Sequence, residues 1–242
     1  MKPFFAIISC HKNRHRRDAI RKTWLGDIGE RADYKFFVGN GDTELEEDVV
    51  KLEVADDYKN LPHKVRAVLQ WVLNQDYKDI LKVDDDVYVF PERILACMGK
   101  GDYVGRWASA SSAVCPKGFI SGFAYWLTES SARIMANTEP DLNITASEDC
   151  WTGRVLSEHG IIATHDQRFM VISIIARQMW HSFSRQGAAF AQFESGLMQH
   201  FDAIAKGRIQ EPELPTTGRN LQLVDPRTGR QFRIGYIHRK GR

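Results

Sequence analysis

Residues 80–90, ILKVDDDVYVF, constrain this chain more than any other stretch. An apolar run rich in β-branched residues leads directly into three consecutive carboxylates, Asp84, Asp85 and Asp86. A short apolar run of this composition is typical of a strand buried on both faces of a sheet. Because ligands bind at the carboxyl ends of strands in open α/β sheets, we expect the three aspartates to lie at a binding site.

Three adjacent carboxylates repel one another, so a fold that keeps them together is expected to hold something positive between them. Hard divalent cations take oxygen ligands, and a nucleotide diphosphate can supply the rest of the coordination shell. The alternative is a solvated acidic turn, which is what most aspartate runs are. The buried strand that precedes this run favours the metal interpretation.

Strand-like and helix-like segments alternate along the first part of the chain in units of about thirty residues, as in parallel sheets. The predicted fold class is therefore α/β, with a mostly parallel central sheet and helices on both faces. The predicted strands are 4–9, 34–38, 49–54, 102–107, 122–127 and 171–180, together with the buried strand that begins at Ile80 and ends in the aspartates and a second β-rich stretch at 87–90. The predicted helices are 14–24, 130–137, 147–160 and 187–206, with two more after Asn60 and at Pro91. Asn13, Asn60 and Ser147 are the expected N-caps.

A chain of 242 residues has room for one large domain or two small ones. Its apolar content of 43% and charged content of 26% are ordinary for a soluble globular protein. The longest apolar run near the start, residues 4–8, is too short for a signal-peptide core or a membrane span. The cysteines are scattered, so we expect free thiols in a cytosolic protein, with a single disulfide as the open alternative.

Basic residues cluster in residues 11–22 and again in residues 227–242, which carry six Lys or Arg and no acidic residue. Such clusters serve phosphates, nucleic acid or an anionic membrane surface, although most are solvated faces. Nucleic-acid binding is not expected, because the arginines lack the interleaved aromatic residues of stacking platforms.

Two further features lie beyond the aspartate run. Glu148 and Asp149 follow Ser147 at the start of a predicted helix, where acidic residues also serve simply to complement the helix dipole. His181 lies between an apolar stretch and a polar loop, where a hydrogen-bonded histidine is more common than a metal ligand.

Six motifs of this chain, in the same order, resemble those of the β-1,3-glycosyltransferases. This group, glycosyltransferase family 31, includes β-1,3-galactosyltransferases, N-acetylglucosaminyltransferases and the Fringe proteins. Residues 16–24 (RRDAIRKTW) resemble its RxxAIRxTW signature, and residues 60–64 (NLPHK) resemble NLTLK. Residues 82–89 (KVDDDVYV) are similar to KxDDDxFV. The remaining motifs are 120–127 (ISGFAYWL, family SGGGYVLS), 148–153 (EDCWTG, family EDVYVG) and 180–182 (WHS, family VHS).

The resemblance implies a single GT-A domain over residues 1–206, with a nucleotide-binding half of about 1–90 and an acceptor-side half of about 91–206. It implies inverting transfer of a hexose or N-acetylhexosamine from a UDP-sugar to a glycan or glycolipid hydroxyl, through a β-1,3 linkage. Mn²⁺ or Mg²⁺ is the expected cofactor, acting as a Lewis acid on both donor phosphates. Residues 207–242 lie outside the resemblance and are expected to form a basic β-hairpin extension.

The resemblance also implies residue roles. Asp86 and His181 would be metal ligands, while Asp84 and Asp85 would face the ribose and the sugar. Asp149 would take the proton from the acceptor hydroxyl. The candidates for uridine or diphosphate contacts are Arg16, Arg21 and Lys64, and those for the acceptor side are Gly122, Trp107 and Glu148.

Phe123 and Ala124 replace two glycines of the family motif, so the identity of the sugar does not carry over. Two other functions compete with glycosyl transfer. A nucleotidyltransferase also sets carboxylates around a metal at a strand end, but it would release pyrophosphate. The other alternative is a nucleotide- or glycan-binding module on a transferase scaffold. Without a Golgi-type anchor we expect a cytoplasmic protein, whose basic tail either contacts anionic membrane lipid or forms an ordinary exposed hairpin.

Overall fold

The computed structural model describes residues 2–41, 46–108, 115, 119–143, 147–171, 187–191, 195–208, 221–224 and 231–234. The strands are β1 (Phe4–Ile8), β2 (Asp33–Val38), β3 (Val49–Lys51), β4 (Asp79–Asp84), β5 (Tyr88–Val89), β6 (Tyr103–Trp107), β7 (Ile120–Thr128), β8 (Thr164–His165), β9 (Phe169–Val171), β10 (Ala189–Ala191), β11 (Leu221–Val224) and β12 (Gln231–Ile234). The helices are α1 (Arg14–Lys22), α2 (Leu61–Leu73), α3 (Pro91–Leu95), α4 (Glu129–Asn137), α5 (Glu148–Glu158) and α6 (Ser195–Ala205).

A seven-stranded sheet in the order β3-β2-β1-β4-β7-β6-β8 forms the centre of the fold. Neighbouring strands are parallel except that β7 runs antiparallel to both β4 and β6. The predicted mostly parallel α/β sheet is confirmed. Strands from both sides of residue 90 share this sheet, and a smaller sheet in the order β5-β10-β9 packs beside it.

Helices cover both faces of the central sheet, as the sequence predicts. On one face α1 and α6 contribute buried residues such as Ile20 and Phe201 to a cluster with β1 and β4, which Trp24 joins from just after α1. On the other face α2, α4 and α5 bury residues such as Val72 and Trp151. Fully burying such side chains stabilises the fold by roughly 1.5–3 kcal/mol each, which is why the apolar faces of these helices fix their places.

The carboxyl ends of three parallel strands meet at one edge of the sheet. Ile8 at the end of β1 pairs with Phe37 of β2 on one side and with Asp84 of β4 on the other. Ser9 and Asp85, the next residues in each chain segment, therefore emerge side by side. This register places the aspartate run where open α/β sheets bind their ligands.

The three expected N-cap residues sit at helix starts, but none of their side chains makes a capping hydrogen bond. Asn13 donates to Asp85, Asn60 donates to Asp57, and the Ser147 hydroxyl bonds to Asp149. Hydrogen bonds to ionised carboxylates are stronger than those between neutral groups, so each side chain takes a carboxylate partner instead.

Three predicted segments have different bounds in the structure. The strand predicted at 49–54 ends at Lys51, and the helix predicted at 187–206 begins only at Ser195. Its first part is instead β10, whose residues are buried between β5 and β9, because a short apolar run fits a strand as well as a helix. The strand predicted at 171–180 lies outside the described residues after Val171.

Cys115 and Cys150 form a disulfide, so the expectation that all four cysteines are free thiols is wrong. Cys10 and Cys97 are free. A single disulfide was the open alternative, but no local pattern indicates which cysteines pair, because 35 positions separate these two. The predicted C-terminal hairpin is confirmed by the antiparallel pairing of β11 and β12. Throughout the described residues, every helix is too short or too polar to span a bilayer.

Candidate functional site

Asp85 is a buried acceptor at the centre of the carboxyl edge. Its Oδ2 accepts from the Ser9 hydroxyl at 2.7 Å and from the Asn13 amide at 2.8 Å. Its Oδ1 accepts from the Arg16 guanidinium at 2.9 Å. Both oxygens of Asp85 thus bind this chain's own groups, so Asp85 joins β1, α1 and β4 rather than lying open towards a sugar.

Asp84 and Asp86 flank this acceptor and are about one-third exposed. Asp84 lies 2.6 Å from the Lys82 ammonium, and Asp86 lies 3.9 Å from the Arg16 guanidinium. Burial raises the pKa of Asp84 to about 7, although the charge of Lys82 opposes that rise. Burial and the neighbouring charge of Asp85 also raise the pKa of Asp86. Both carboxylates therefore lie where a further positive charge would be stabilising.

The charges at this edge do not balance within the described residues. When ionised, Asp84, Asp85, Asp86 and Glu148 carry four negative charges, and Lys82 and Arg16 offset two of them. A divalent cation would offset the remaining two, and carboxylate oxygens are suitable ligands for Mg²⁺ or Mn²⁺. No ready-made group of three His, Cys, Asp or Glu ligands occurs among the described residues. Asp86 therefore fits as one metal ligand, and a bound ion would need further ligands from outside the described residues or from the substrate.

His181, the other predicted metal ligand, lies outside the described residues. Its assignment therefore stays a prediction. Arg16 reaches both Asp85 and Asp86, so this predicted donor-binding residue does lie at the aspartate cluster.

Lys64 reaches the same edge from the first turn of α2. Its buried ammonium bonds to the Ser9 carbonyl and to the Asp56 carboxylate. Although burial opposes it, the hydrogen bonds from Lys64 and from the His11 backbone N–H lower the pKa of Asp56. The His11 ring in turn lies 2.8 Å from the Gly39 carbonyl, which follows β2. Lys64 thus shapes the loop after β1 beside the aspartate run.

Arg21 has a different environment from Arg16. Its guanidinium bonds to Asp48 at 2.6 Å, to Asp18 at 2.7 Å and to Glu46 at 3.3 Å. These acidic partners occupy several of its five N–H donors on the side of α1 that faces β3. The contacts give no support to a role for Arg21 in binding UDP.

Asp149 lies in the first turn of α5, beside β7. Its Oδ2 accepts from the Gly122 N–H at 3.3 Å, and its Oδ1 accepts from the Ser147 hydroxyl and the Cys150 N–H. Among the described residues, no Lys, Arg or His side chain forms an ion pair with Asp149. Its carboxylate therefore has partners that orient it but no cation that neutralises it, as a proton acceptor requires.

Glu148, by contrast, is buried and faces the protein interior. It accepts from the Tyr125 hydroxyl at 2.5 Å and from the Thr152 hydroxyl at 2.9 Å, and it lies 3.4 Å from the Lys82 ammonium. This predicted acceptor-side residue is thus part of the support beneath the site. Phe123 and Ala124, which replace family glycines, are buried as well.

Trp107 borders a cavity of about 490 Å³ that runs along α5. Its ring is half exposed (51%) and stacks on His165 with the ring centres 5.3 Å apart. The described cavity wall is mainly apolar and carries no charged side chain; it consists of Tyr103, Trp107, Ala108, Phe119, Gly153, Ser157, Gly160, Ile161, Ile162 and Ala163. A cavity of this size suits a small molecule or one end of a larger one.

Residues 15–118 match the model of the galactosyltransferase family. The predicted family resemblance is confirmed over this segment. The galactosyltransferase segment contains Arg16, Arg21, Lys64 and the aspartate run, but it ends before Asp149.

One solved structure that resembles this chain is described as a glycosyltransferase involved in the glycosylation of the major capsid of PBCV-1. The TM-score is 0.50 at 13% identity, over 82% of this chain and 99% of that one. At this identity the likeness shows the fold alone, a mixed α/β fold with a mostly parallel central sheet. No curated protein matches the sequence. The galactosyltransferase segment supports glycosyl transfer.

The sequence did not single out three supporting residues, namely Ser9, Asn13 and Lys82, as parts of the site. Ser9 and Asn13 reach Asp85 from positions 76 and 72 residues away, so no local pattern could reveal the contact. Lys82 did carry a signal. It is a lysine within a buried strand, and such residues are almost never fully buried without a partner.

Proposed function

We propose that this protein is an inverting, metal-dependent glycosyltransferase that moves a hexose or N-acetylhexosamine from a UDP-sugar to a hydroxyl group. The observation that carries the proposal is the pair of acidic sites joined at one sheet edge. One is an aspartate cluster with two uncompensated charges, and the other is the separate carboxylate of Asp149. Transfer with inversion needs both: one site for the leaving diphosphate and one for the incoming hydroxyl.

The donor would bind at the ends of β1 and β4. Lys64 and Asp56 shape the loop that follows β1, which offers a rim for the uridine. Arg16 bonds to Asp85 and lies 3.9 Å from Asp86, so it can hold a diphosphate oxygen without leaving the cluster. The carboxylate of Asp84, which is about one-third exposed, lies beside the expected position of the sugar.

Asp86 would hold Mn²⁺ or Mg²⁺, with His181 as the predicted second protein ligand. When bound, the ion supplies positive charge that stabilises the diphosphate as it leaves. Its fit rests on the partly exposed carboxylate of Asp86 within a cluster that carries two uncompensated negative charges when ionised.

Asp149 would act as the general base. As the acceptor oxygen forms a bond to the anomeric carbon, the bond from that carbon to the diphosphate oxygen breaks. The hydroxyl proton passes to the Asp149 carboxylate, and UDP leaves with the bonding electron pair. Single-step displacement from the opposite face inverts the anomeric configuration. Such base catalysis contributes roughly 10²–10⁴-fold to a rate.

The acceptor would approach from the α5 side, past Trp107. The apolar cavity there suits the aromatic or aliphatic part of a glycoside or glycolipid. The β-1,3 linkage follows from the family resemblance. Cytoplasmic location and contact of the basic tail with anionic lipid stay predictions, and the Cys115–Cys150 disulfide weighs against a reducing compartment.

A donor screen tests this function. The protein is incubated with UDP-galactose, UDP-N-acetylglucosamine or UDP-N-acetylgalactosamine, with Mn²⁺ or with EDTA, and the nucleotide products are separated. We expect UDP from at least one donor with Mn²⁺ and none with EDTA. Pyrophosphate would indicate nucleotidyl transfer, and tight UDP binding without turnover of any donor would indicate a binding module. Either result contradicts the proposal.

A further inference from the structure

Lys82 carries a charge into the core, where its side chain is 1% exposed. Its ammonium lies 2.6 Å from Asp84 on the same strand and 3.4 Å from Glu148 on α5, and it donates to the Gly122 carbonyl on β7. A lysine ammonium has three donors. Lys82 therefore directs one donor to each of three elements, β4, β7 and α5, which lie on both sides of residue 90 in the chain.

Stability alone does not explain this lysine. A buried ion pair is often no more stabilising than apolar residues of similar volume, because removing both charges from water is costly. Residue 82 sits in an otherwise apolar strand between Leu81 and Val83, so an apolar side chain would suit the core. The charge at this position therefore indicates that Lys82 orients other groups of the site.

Gly122 shows what is oriented. Its carbonyl accepts from Lys82 and its N–H donates to Asp149, so one residue connects the lysine with the proposed base. A side chain at this position would place Cβ 3.0 Å from the Glu148 carboxylate and 3.2 Å from the Asp149 Cβ. The close approach of β7 to α5 therefore depends on glycine.

Glu148 provides the second connection. The Tyr125 and Thr152 hydroxyls hold its carboxylate from the protein side, and Lys82 approaches the other oxygen. Because Asp149 is the next residue in the same helical turn, fixing Glu148 also fixes the backbone that carries the base.

We propose that Lys82 is a positioning residue. Through Gly122 and Glu148 it holds Asp149 in place relative to the aspartates at the end of β4. This inference rests on the proposed function. Lys82 itself is buried and touches no substrate, so its loss should misplace the base while the donor still binds.

The test compares Lys82→Met, Glu148→Gln and the double variant with the wild-type protein. Each is given Mn²⁺, the UDP-sugar that the wild type turns over best, and a panel of octyl β-glycosides, and sugar transferred to the glycoside is measured beside sugar released to water. We expect each single variant to lower the transfer-to-hydrolysis ratio at least tenfold. The double variant should lie no lower than Lys82→Met, because both changes break one connection.

Two controls separate positioning from general damage. Val72→Ala removes buried apolar volume from α2, so it should lower the unfolding midpoint without changing the ratio. Tyr125→Phe removes one hydroxyl partner of Glu148 without changing any charge, so its affinity for UDP with Mn²⁺ should stay within about threefold of wild type, a difference of about 0.7 kcal/mol. If Val72→Ala lowered the transfer-to-hydrolysis ratio in proportion to its loss of stability, the effect of Lys82→Met would reflect lost stability and not positioning.

The other outcomes of this experiment distinguish a failure of the positioning role from a failure of the proposed function. An unchanged ratio in Lys82→Met, or independent multiplying effects in the double variant, would overturn the positioning role while leaving the transferase proposal intact. A wild-type protein that neither hydrolyses nor transfers from any donor would overturn the proposed function, and the positioning role with it.

Discussion

The two buried lysines at the sheet edge serve different parts of the molecule. Lys64 bonds to Ser9 and Asp56, so its contacts stay within the first sixty-four residues, on the proposed donor side. Lys82 bonds across β4, β7 and α5 and so joins the donor side to the helix that carries Asp149. The bonds of Lys64 thus stay within the part of the chain before residue 90, whereas those of Lys82 reach segments on both sides of it. The effect of a buried charge depends on where its partners come from.

The largest effect should come from Asp149→Asn, which should remove the proposed base and leave the donor side intact. An amide cannot accept the acceptor proton, so transfer should fall roughly 10²–10⁴-fold. UDP affinity should change little, because no described contact joins Asp149 to the aspartate run. Radiolabelled sugar transfer and UDP titration measure the two quantities, and Glu158→Gln, at an exposed position of α5 outside the cavity wall, is a control for helix integrity. Transfer at the wild-type rate would exclude Asp149 as the base.

Lys64→Met should have the next largest effect on binding or activity, and on the opposite side. Losing the bonds to Ser9 and Asp56 loosens the loop after β1, so we expect UDP affinity to fall about tenfold, or about 1.4 kcal/mol. The transfer-to-hydrolysis ratio should stay unchanged, in contrast to Lys82→Met. If both lysine variants lowered the ratio equally, the contrast between the two regions would be lost.

Breaking the disulfide should act on the stability of the fold rather than on UDP binding. Cys115 is tied to Cys150, the neighbour of Asp149, and closing a loop of 35 residues stabilises a fold by roughly 4 kcal/mol in the chain-entropy model. Dithiothreitol should therefore lower the unfolding midpoint of the wild type, measured by calorimetry. Cys115→Ser is the matched control, since its midpoint should already be low and insensitive to the reductant. An unchanged wild-type midpoint would contradict a stabilising bridge.

The smallest effect should come from Trp107→Ala. This half-exposed ring stacks on His165 beside the apolar cavity, and its loss should raise the KM for an octyl glycoside about fivefold, or about 1 kcal/mol. The donor KM should not change. Trp107→Phe keeps an aromatic ring and should recover most of the affinity. A change in the donor KM instead would place Trp107 on the other side of the site.

The fold was largely predictable because its strands and helices carry strong periodic patterns. The buried run before Asp84 and the apolar face of α2, for example, appear in the structure as expected. The error at Ala189–Ala191 arose where an apolar run was too short for its period to separate strand from helix.

The site was predictable in its parts but not in its connections. The aspartate run stood out by composition, yet nothing local shows that Asp85 is fully bonded by Ser9, Asn13 and Arg16. Arg16 and Arg21 look alike in the sequence, and only the fold places Arg21 among Asp18, Glu46 and Asp48. Long-range partners decide what each charge does.

Calorimetric titration of UDP with Mn²⁺ into wild type, Asp86→Ala and Asp149→Asn tests the separation of donor and base sides most directly. Asp86→Ala should lose at least tenfold in UDP affinity and show little difference between Mn²⁺ and EDTA, while Asp149→Asn should bind UDP like the wild type. Equal Mn²⁺-dependent affinity in wild type and Asp86→Ala would contradict the account, as would a loss of binding in Asp149→Asn as large as that in Asp86→Ala.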